Sequence, residues 1–463
     1  MTSTTSSTPG TRSAAIVGAG QTGVTAALGL LDAGFDVTLY SDRDQRALRD
    51  DVPATGTALE FGEVQQAESA LGLDSYTGRA PRHTGLSVRI AGPGPEHPEL
   101  IDFDGTFDGY VGVAVDTRLK ADERLTEFRR RGGTFVVEAV TRETLDGIAA
   151  EHDLTLVATG KAGLVDLFPV DSARTVYDEP QRRLLALTVG GLGAGRDVFA
   201  HRSPAGGAHS LFSIVADQGE AWWGPYLHKD VGWTWAFIGW ARPGSDWEQR
   251  FAAAESAESA HEIVQQLYRD YLEWDLPEVL ATRPLTEDKH SWLKGAVRPV
   301  VREGVGYTAS GHPVGALGDT AVAHDPVAGQ GAQGGLVQAQ RLVAAAAVHD
   351  GPFDAAWLGA RYAEFLGYRA EAAAKVTRLF LSDPEFGEIG NAFFAAAAVH
   401  PKFASALVGL LHRPQPFAAI ESADDAVAYI SQVTGEDAGE LLAKFAPAGR
   451  FARSEYQADL ASA

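Results

Sequence analysis

The stretch from Ala14 to Arg43, AAIVGAGQTGVTAALGLLDAGFDVTLYSDR, constrains the fold more than any other part of the sequence. A short apolar strand leads into Gly18-x-Gly20-x-x-Gly23, a helix-period run follows, and residues 36–40 form a second apolar strand. In a βαβ unit of this type, the first glycine permits the tight turn, the second lets backbone approach a pyrophosphate, and the third lets the helix pack on the strand. The sequence therefore predicts a bound dinucleotide, with its phosphates at the N-terminus of the helix.

The end of the second strand departs from this pattern. The carboxylate that usually holds a ribose at this point is replaced by Ser41, which is followed by Asp42 and Arg43. We expect these three residues to lie at the cofactor, with Ser41 offering one hydrogen bond and Asp42 substituting for the missing acid. In the alternative interpretation the ribose is held elsewhere.

A second glycine-rich segment, GDTAVAHDPVAGQGAQGG, occupies residues 318–335. It returns some 300 residues after the first one, whereas a nicotinamide enzyme usually completes its site within about the first 150 residues. This layout suits FAD, whose ribityl chain and ring extend away from the pyrophosphate into a second site.

The chain length and the character of successive segments predict an α/β protein. At 463 residues, two or three domains are expected. Aromatic-rich stretches that alternate in strand fashion follow Pro169, residues 246–276 predict one long helical stretch, and the chain after Val337 is rich in alanine and mostly helical. We expect a Rossmann-type FAD-binding domain interrupted by a β-rich substrate domain, with C-terminal helices. The boundaries are 12–48, 105–172 and 296–350 for the FAD-binding domain, 49–104 and 173–295 for the substrate domain, 351–463 for the helical region and 1–11 for a disordered tail.

The charge balance limits the partners of the protein. Lys and Arg number 39 against 61 for Asp and Glu, which gives a net charge of −22. Such an excess repels phosphate backbones and anionic lipid headgroups. We therefore expect neither a nucleic acid nor a membrane as a partner.

Cysteine is absent, which excludes disulfides, cysteine nucleophiles and thiolate metal sites. The histidines show none of the spacings typical of zinc sites, so no metal is predicted. The opening MTSTTSSTPGTRS lacks the pattern of a signal peptide, and no run approaches the ~18 apolar residues of a membrane-spanning helix. These features predict a cytoplasmic protein.

Several stretches resemble the styrene/indole monooxygenase family, within the p-hydroxybenzoate-hydroxylase-like flavoproteins. Gly20, the ATG of residues 158–160 and the segment 318–331 are similar to the three FAD fingerprints of that fold. The family resemblance is carried by VTLYSDR, VDTRL, RRRGGTF, DLTLVATGK, DEPQRRLLAL and GDTAVAHDPVAGQGA, which run in the same order from about residue 14 to 350.

The resemblance implies roles for individual residues. Asp319 would contact the ribityl hydroxyls, and the turn from Asp325 to Gly331 would bring backbone N–H groups to the isoalloxazine. Arg118 would lie near the flavin, or else form an ion pair on a surface helix. His324 would assist proton transfer, or else be a packed or solvent-facing histidine. The other cofactor-binding residues expected from these fingerprints are Thr159, Gly160, Gly318, Pro326, Gly329, Gln330, Gly331 and Ala332.

The family chemistry needs no pair of acidic and basic side chains. Reduced FAD reacts with O₂ to give a flavin hydroperoxide, which delivers one oxygen atom to an electron-rich substrate. Single-component hydroxylases of this fold usually carry an Asp-Gly motif, which helps to bind NAD(P)H, where this chain has ATGKAG at residues 158–163. We therefore expect reduced FAD from a separate NADH-dependent flavin reductase, with a small aromatic substrate and O₂ as the other partners. The oligomeric state stays open, a homodimer included.

The substrate pocket is predicted from two regions. TGTALEF places Gly56, Ala58 and Glu60 where styrene-type and indole-type members each carry their own motif, and its frame is closer to the indole type. Glu60 would suit a substrate with an N–H or cationic group if it faces the pocket, and says nothing if it lies on an exposed helix. The aromatic strands contribute candidate wall residues that could equally be core, namely Trp222, Trp223, Trp233, Trp235 and Trp240, among which Trp233 and Trp235 are placed in the pocket.

Three other functions stay open at this stage. A flavin-dependent halogenase shares the fold, and GWTWAFIG at residues 232–239 faintly resembles its Trp-x-Trp-x-Ile-Pro element, although Gly239 stands in place of the proline. A reduced-flavin-binding protein without oxygen transfer is the second, and a single-component NADH-dependent hydroxylase is the third. We favour oxygenation of an aromatic alkene, most readily an indole-like one.

Overall fold

The computed structural model describes residues 11–53, 59–161, 163–193, 197–203 and 210–445. The predicted tail, apart from residue 11, lies outside these residues, as do Gly56 and Ala58. The described chain is a mixture of strands and helices, which confirms the α/β class. The strands are β1 (Ser13–Val17), β2 (Asp36–Ser41), β3 (Leu59–Glu60), β4 (Arg82–His83), β5 (Gly85–Ala91), β6 (Glu99–Thr106), β7 (Gly112–Ala114), β8 (Thr134–Val137), β9 (Leu154–Val157), β10 (Arg183–Gly190), β11 (Ser210–Val215), β12 (Gly219–His228), β13 (Gly232–Ala241), β14 (Arg283–Pro284), β15 (Trp292–Ala296), β16 (Val300–Val301), β17 (Val305–Tyr307), β18 (Pro313–Ala316) and β19 (Val322–Ala323).

The helices connect and cover the sheets. They are α1 (Gln21–Asp32), α2 (Gln45–Asp50), α3 (Gly62–Ala70), α4 (Thr117–Arg130), α5 (Arg142–Glu151), α6 (Asp246–Ala252), α7 (Ala257–Tyr271), α8 (Leu276–Ala281), α9 (Gln330–Ala347), α10 (Ala355–Phe365), α11 (Glu371–Phe380), α12 (Gly387–Val399), α13 (Pro401–Gly409), α14 (Ala423–Thr434) and α15 (Ala438–Leu442). Within the described ranges, no helix is both long and apolar enough to cross a membrane.

The first sheet has the strand order β17-β18-β9-β1-β2-β8. Its strands run parallel except for β17, which is antiparallel to β18. Helices α1 and α9 pack against each other, so the central strands and these helices share one apolar core. In open parallel sheets, ligands bind outside the carboxyl ends of the strands. The ends of β1, β9 and β18 are therefore the place to look for a cofactor site.

The second sheet has the order β14-β10-β13-β12-β11-β5-β6, with β15 also pairing with β10. Every residue of β12, from Gly219 to His228, is buried, because both faces of the sheet are covered. One face packs on α6–α8. The other face packs on the C-terminal helices and on the turn that contains Val327 and Ala328. We call this second face the turn-facing side of the sheet.

The long helical stretch predicted over residues 246–276 is divided in the structure. Helix α6 ends at Ala252, and Ser256 caps α7 by accepting a hydrogen bond from the backbone N–H of Ser259. A serine side chain at this position satisfies an N–H group that has no partner inside the helix, so it favours a new helix start. The division into separate helices therefore has a local cause.

Candidate functional site

The glycine turn at residues 18–23 and the segment at residues 158–160 meet at the carboxyl ends of β1 and β9. A Cβ atom on Gly18 would lie 2.3 Å from the carbonyl oxygen of Ala158, and Gly18 has a φ of +115°. A Cβ atom on Gly23 would lie 1.9 Å from the carbonyl oxygen of Gly18. Neither position can hold a side chain, so the tight turn and the close helix packing predicted for these glycines are both present.

Gly20 is different, because its side-chain position is open. No atom lies within 4 Å of an ideal Cβ atom there, and its φ of −69° is accessible to any residue. Gly20 caps α1 without a side-chain hydrogen bond, so the first N–H groups of the helix are available to a ligand. Gly160 and Gly329 are equally open. This bare backbone fits a dinucleotide phosphate at the helix N-terminus.

The glycine-rich segment at residues 318–335 contacts the segment at residues 158–160. The hydroxyl of Thr320 donates to the carbonyl oxygen of Gly160 at 3.1 Å, and Lys161 Nζ lies 3.1 Å from Asp319 Oδ2. The other Asp319 oxygen lies 3.4 Å from the side-chain position of Gly331. The structure therefore brings Gly160, Asp319 and the start of α9 together. Asp319 is partly exposed, so its carboxylate can accept hydrogen bonds from a ligand.

The turn before α9 is held by its own residues. Asp325 Oδ1 accepts a hydrogen bond from the backbone N–H of Val327 at 3.0 Å, and Pro326 starts a short 3₁₀ turn. Gly329 ends it at a φ of +61°, a left-handed conformation that favours glycine. The Gln330 side chain donates to the carbonyl oxygen of Ala328, so it points into the protein. Ala332 is half-buried in the first turn of α9.

His324 and Asp325 are both buried beside this turn. Burial lowers the pKa of His324 to about 4 and raises the pKa of Asp325 to about 7. Asp325 Oδ2 has no hydrogen-bond partner among the described residues. His324 is thus a packed, neutral histidine at pH 7, and its involvement in proton transfer stays a prediction.

The end of β2 lies beside the first glycine turn, because the backbone N–H of Gly18 donates to the carbonyl oxygen of Tyr40 at 2.8 Å. Ser41 is buried and its hydroxyl accepts from the backbone N–H of Arg43 at 3.2 Å. Asp42 and Arg43 are exposed and pair with each other at 3.3 Å. The three residues therefore lie at the edge of the site rather than in contact with its glycines.

Arg118 forms an ion pair, but a buried one. Its guanidinium is 1% exposed and contacts Asp116 at 2.8 Å and Asp288 at 2.7 Å. His228 lies 3.0 Å from Asp288 and completes the cluster. The predicted ion pair is therefore present but lies in the interior rather than on the surface, and a place for Arg118 near the flavin stays a prediction. Sequence reasoning missed this cluster because its members come from three distant segments.

Glu60 is buried on β3, so it does not lie on an exposed helix. Its two carboxylate oxygens accept hydrogen bonds from the side chains of Gln21 and Lys120. Burial raises the pKa of Glu60, although Lys120 opposes this effect. Gln21 directly follows Gly20, so Glu60 lies close to the glycine turn at residues 18–23. A charge that is already paired on both oxygens gives no reason to prefer an N–H substrate.

The structure separates the tryptophans between the two faces of the second sheet. Trp235 packs on the face covered by α6–α8 and donates to the carbonyl oxygen of Gly193 at 3.0 Å. Trp233 is 51% exposed. Neither residue is on the turn-facing side, which instead carries Trp222 and Trp240. Because side chains alternate along a strand, one known contact with the turn would have identified the tryptophans on that side. The role of Trp233 and Trp235 in a substrate pocket stays a prediction.

The described residues contain no group of three or more His, Asp or Glu side chains arranged to hold a metal ion. The geometry at Gly20, Asp319 and Gly329 fits an organic cofactor that is held by backbone groups and a few side chains.

Comparison with known proteins agrees with this geometry. A family model of the styrene monooxygenase A substrate-binding domain matches residues 160–277. Styrene monooxygenase StyA of a Pseudomonas species is 29% identical over 325 residues, which cover 68% of this chain and 73% of the relative. StyA of Pseudomonas fluorescens is 28% identical over the same shares.

Solved structures share the fold at lower identity. The flavin-dependent brominase Bmp2 superposes with a TM-score of 0.59 at 14% identity, covering 90% of this chain and 97% of its own. The flavin-dependent halogenase CmlS gives a TM-score of 0.56 at 15% identity, covering 98% of this chain and 77% of its own. These likenesses concern the fold alone. The sequence matches support the predicted family and cofactor: the chain is similar to the styrene monooxygenases and is a FAD-dependent monooxygenase.

Proposed function

We propose that this protein is the oxygenase component of a two-component flavin monooxygenase that acts on an aromatic alkene in the cytoplasm. Bound reduced FAD would supply two electrons to O₂, so that one oxygen atom enters the substrate and the other leaves as water. The observation that carries the proposal is that an aromatic sheet face and the turn that starts at Pro326 belong to one apolar cluster.

The cofactor would be held along the ends of β1, β9 and β18. The N-terminus of α1 at Gly20 would bind the phosphates, because its N–H groups are bare. The carboxylate of Asp319 would accept hydrogen bonds from the ribityl chain. The open backbone at Gly329 would face the ring. This arrangement supports the predicted FAD-binding domain, whose boundaries stay a proposal.

The turn-facing side of the sheet would bind the substrate. Its buried side chains are largely aromatic and aliphatic and include Trp222, Trp240 and Phe212, which share one apolar cluster with Val327 of the turn. Such a surface binds an uncharged aromatic molecule and excludes water from it. Water exclusion would favour oxygen transfer to the substrate over loss of the oxygen as peroxide.

Reducing equivalents would come from a separate NADH-dependent flavin reductase. At the position where single-component hydroxylases of this fold carry Asp-Gly, this chain has Gly160 followed by Lys161, which pairs with Asp319. The sequence also offers no second nucleotide fingerprint. Both features support an external reductant.

An indole-like substrate remains the first choice within the aromatic alkenes. The support comes from the frame between Thr55 and Phe61, which is closer to the indole type. The buried pairing of Glu60 removes the electrostatic part of that preference. Styrene is therefore tested alongside indole.

The test is product analysis by mass spectrometry with indole and styrene, FAD, NADH and O₂, with and without an added flavin reductase. The proposal requires an epoxide, indoxyl or indigo-type product that forms only with the reductase. Product formation with NADH alone would identify a single-component hydroxylase, and a halogenated product that depends on added halide would identify a halogenase. Hydrogen peroxide as the sole product would contradict oxygen transfer to these substrates.

A further inference from the structure

We propose that Glu60 is a positioning residue that orients Gln21 at the phosphate-binding turn and thereby sets the affinity for the flavin cofactor. This role differs from the substrate contact predicted from the sequence. It rests on the proposed function, because it concerns binding of FAD at the N-terminus of α1.

The Glu60 carboxylate is fixed from several directions. The residue is only 4% exposed, and its backbone pairs with Val113 of β7. The side-chain amide of Gln65 donates to the Glu60 carbonyl oxygen at 2.6 Å. A carboxylate on a backbone held in this way is a rigid acceptor for the Gln21 amide, with which it forms a hydrogen bond.

Gln21 is the first residue of α1 and directly follows Gly20, where a ligand has open access to the backbone. A hydrogen bond from its side chain to Glu60 restricts the rotamers of Gln21 before any ligand binds. The first turn of α1 is then ordered in the free protein, so less conformational entropy is lost when a phosphate binds. Preorganisation of this kind raises affinity without a direct contact between Glu60 and the cofactor.

The charges around Glu60 keep it compatible with an anionic ligand. Lys120 donates to Glu60 and also lies 2.6 Å from Glu68, and Arg124 lies 3.3 Å from Glu68. All four side chains are buried, and two acids balance two bases. A bare carboxylate at this place would repel the cofactor phosphates, and the paired one does not.

The test measures the dissociation constants of FAD and of anaerobically reduced FAD for the wild type and its variants. Glu60→Gln removes the charge and weakens the acceptor for Gln21, and Gln21→Ala removes the donor. We expect each change to weaken flavin binding by about 5- to 20-fold, and the double variant to bind no more weakly than the weaker single variant. Such non-additivity is the signature of two residues acting as a unit.

Glu68→Gln is the matched control, because it removes a buried charge from the same group of four and leaves the bond between Glu60 and Gln21 in place. We expect it to change the flavin affinity by less than about twofold. Equal weakening by Glu60→Gln and Glu68→Gln, or additive effects of Glu60→Gln and Gln21→Ala, would overturn the proposal. Thermal unfolding of each variant confirms that it is folded.

Gln21→Ala keeps the proposal testable if Glu60→Gln does not fold, since Gln21 is only half-buried. Wild-type affinity in a folded Gln21→Ala variant would then overturn it. If the wild type itself binds neither form of FAD, the proposed function fails, and this result is distinct from the failure of the Glu60 inference alone.

Discussion

The side-chain position of Gly18 lies 2.3 Å from the carbonyl oxygen of Ala158, so the glycine turn at residues 18–23 and the segment at residues 158–160 touch through backbone atoms. Gly18→Ala must push these segments apart and also adopt a φ of +115°. We expect it to destabilise the protein by at least about 2 kcal/mol. Thermal and urea unfolding measure the loss, and a melting temperature equal to that of the wild type would contradict this packing.

Gly20→Ala should weaken FAD binding and leave the stability of the fold unchanged. The added Cβ atom meets nothing within 4 Å, and the backbone conformation is ordinary, so the fold tolerates it. The methyl group would occupy the space where a phosphate approaches α1. We expect the melting temperature to stay within about 2 °C of the wild type, because the added methyl group causes no strain. We expect FAD to bind at least about tenfold more weakly, since a lost phosphate contact is worth about 1.4 kcal/mol or more. Fluorescence titration with FAD measures the second quantity, and unchanged binding would show that phosphates do not lie at this turn.

Trp222 and Trp223 are adjacent in β12 but lie on opposite faces of the sheet. Trp222→Phe alters the turn-facing side, so we expect it to change kcat/KM for the aromatic substrate by about fivefold or more, the loss expected from about 1 kcal/mol of binding or positioning. Trp223→Phe alters the face against α6–α8, and we expect it to lower the melting temperature while leaving kcat/KM within about twofold. Steady-state kinetics and thermal unfolding compare the two variants. Equal kinetic effects would argue against a substrate site on the turn-facing side.

Asp325 predicts a pH dependence of stability. Burial raises the pKa of its carboxyl group from 3.8 to about 7, with Glu220 adding to the effect and Arg182 and Lys161 opposing it. Because the folded protein holds this proton more tightly than the unfolded chain, the stabilisation is complete below about pH 4 and is lost as the pH rises towards 7.

Asp325→Asn removes this titration and keeps a side chain that can accept the hydrogen bond from Val327. As the pH rises from 5 to 7, we expect the unfolding free energy of the wild type to fall by about 2 kcal/mol relative to that of Asp325→Asn. Urea unfolding across this range measures the difference. A constant difference for Asp325→Asn would contradict a buried, protonated Asp325.

The local part of the fold could be predicted from the sequence, and the part made by distant contacts could not. The turn at Gly18–Gly23 follows from glycine spacing within a few residues, so its geometry was predictable. The pairing of Glu60 with Gln21 and Lys120 joins residues 39 and 60 positions apart, and no periodic pattern signals it.

The tryptophans on the turn-facing side could not be predicted for a different reason. Strands β12 and β13 are covered on both faces, so they carry no alternation of polar and apolar residues that would identify the side facing the cofactor. Trp235 and Trp240 look alike in the sequence, and only the structure shows that Trp240 shares an apolar cluster with Val327 of the turn while Trp235 does not. The side of the sheet that faces the turn therefore had to come from the structure.

The most direct test of the account is a single turnover with chemically reduced FAD, ¹⁸O₂ and indole or styrene, in the absence of NADH and of any reductase. The account predicts a product that carries one ¹⁸O atom, formed by the wild type and formed in a smaller amount by Gly20→Ala at a concentration of reduced FAD that does not saturate the variant. Complete conversion of the oxygen to hydrogen peroxide with no labelled product, or a requirement for NADH when reduced FAD is already present, would contradict it.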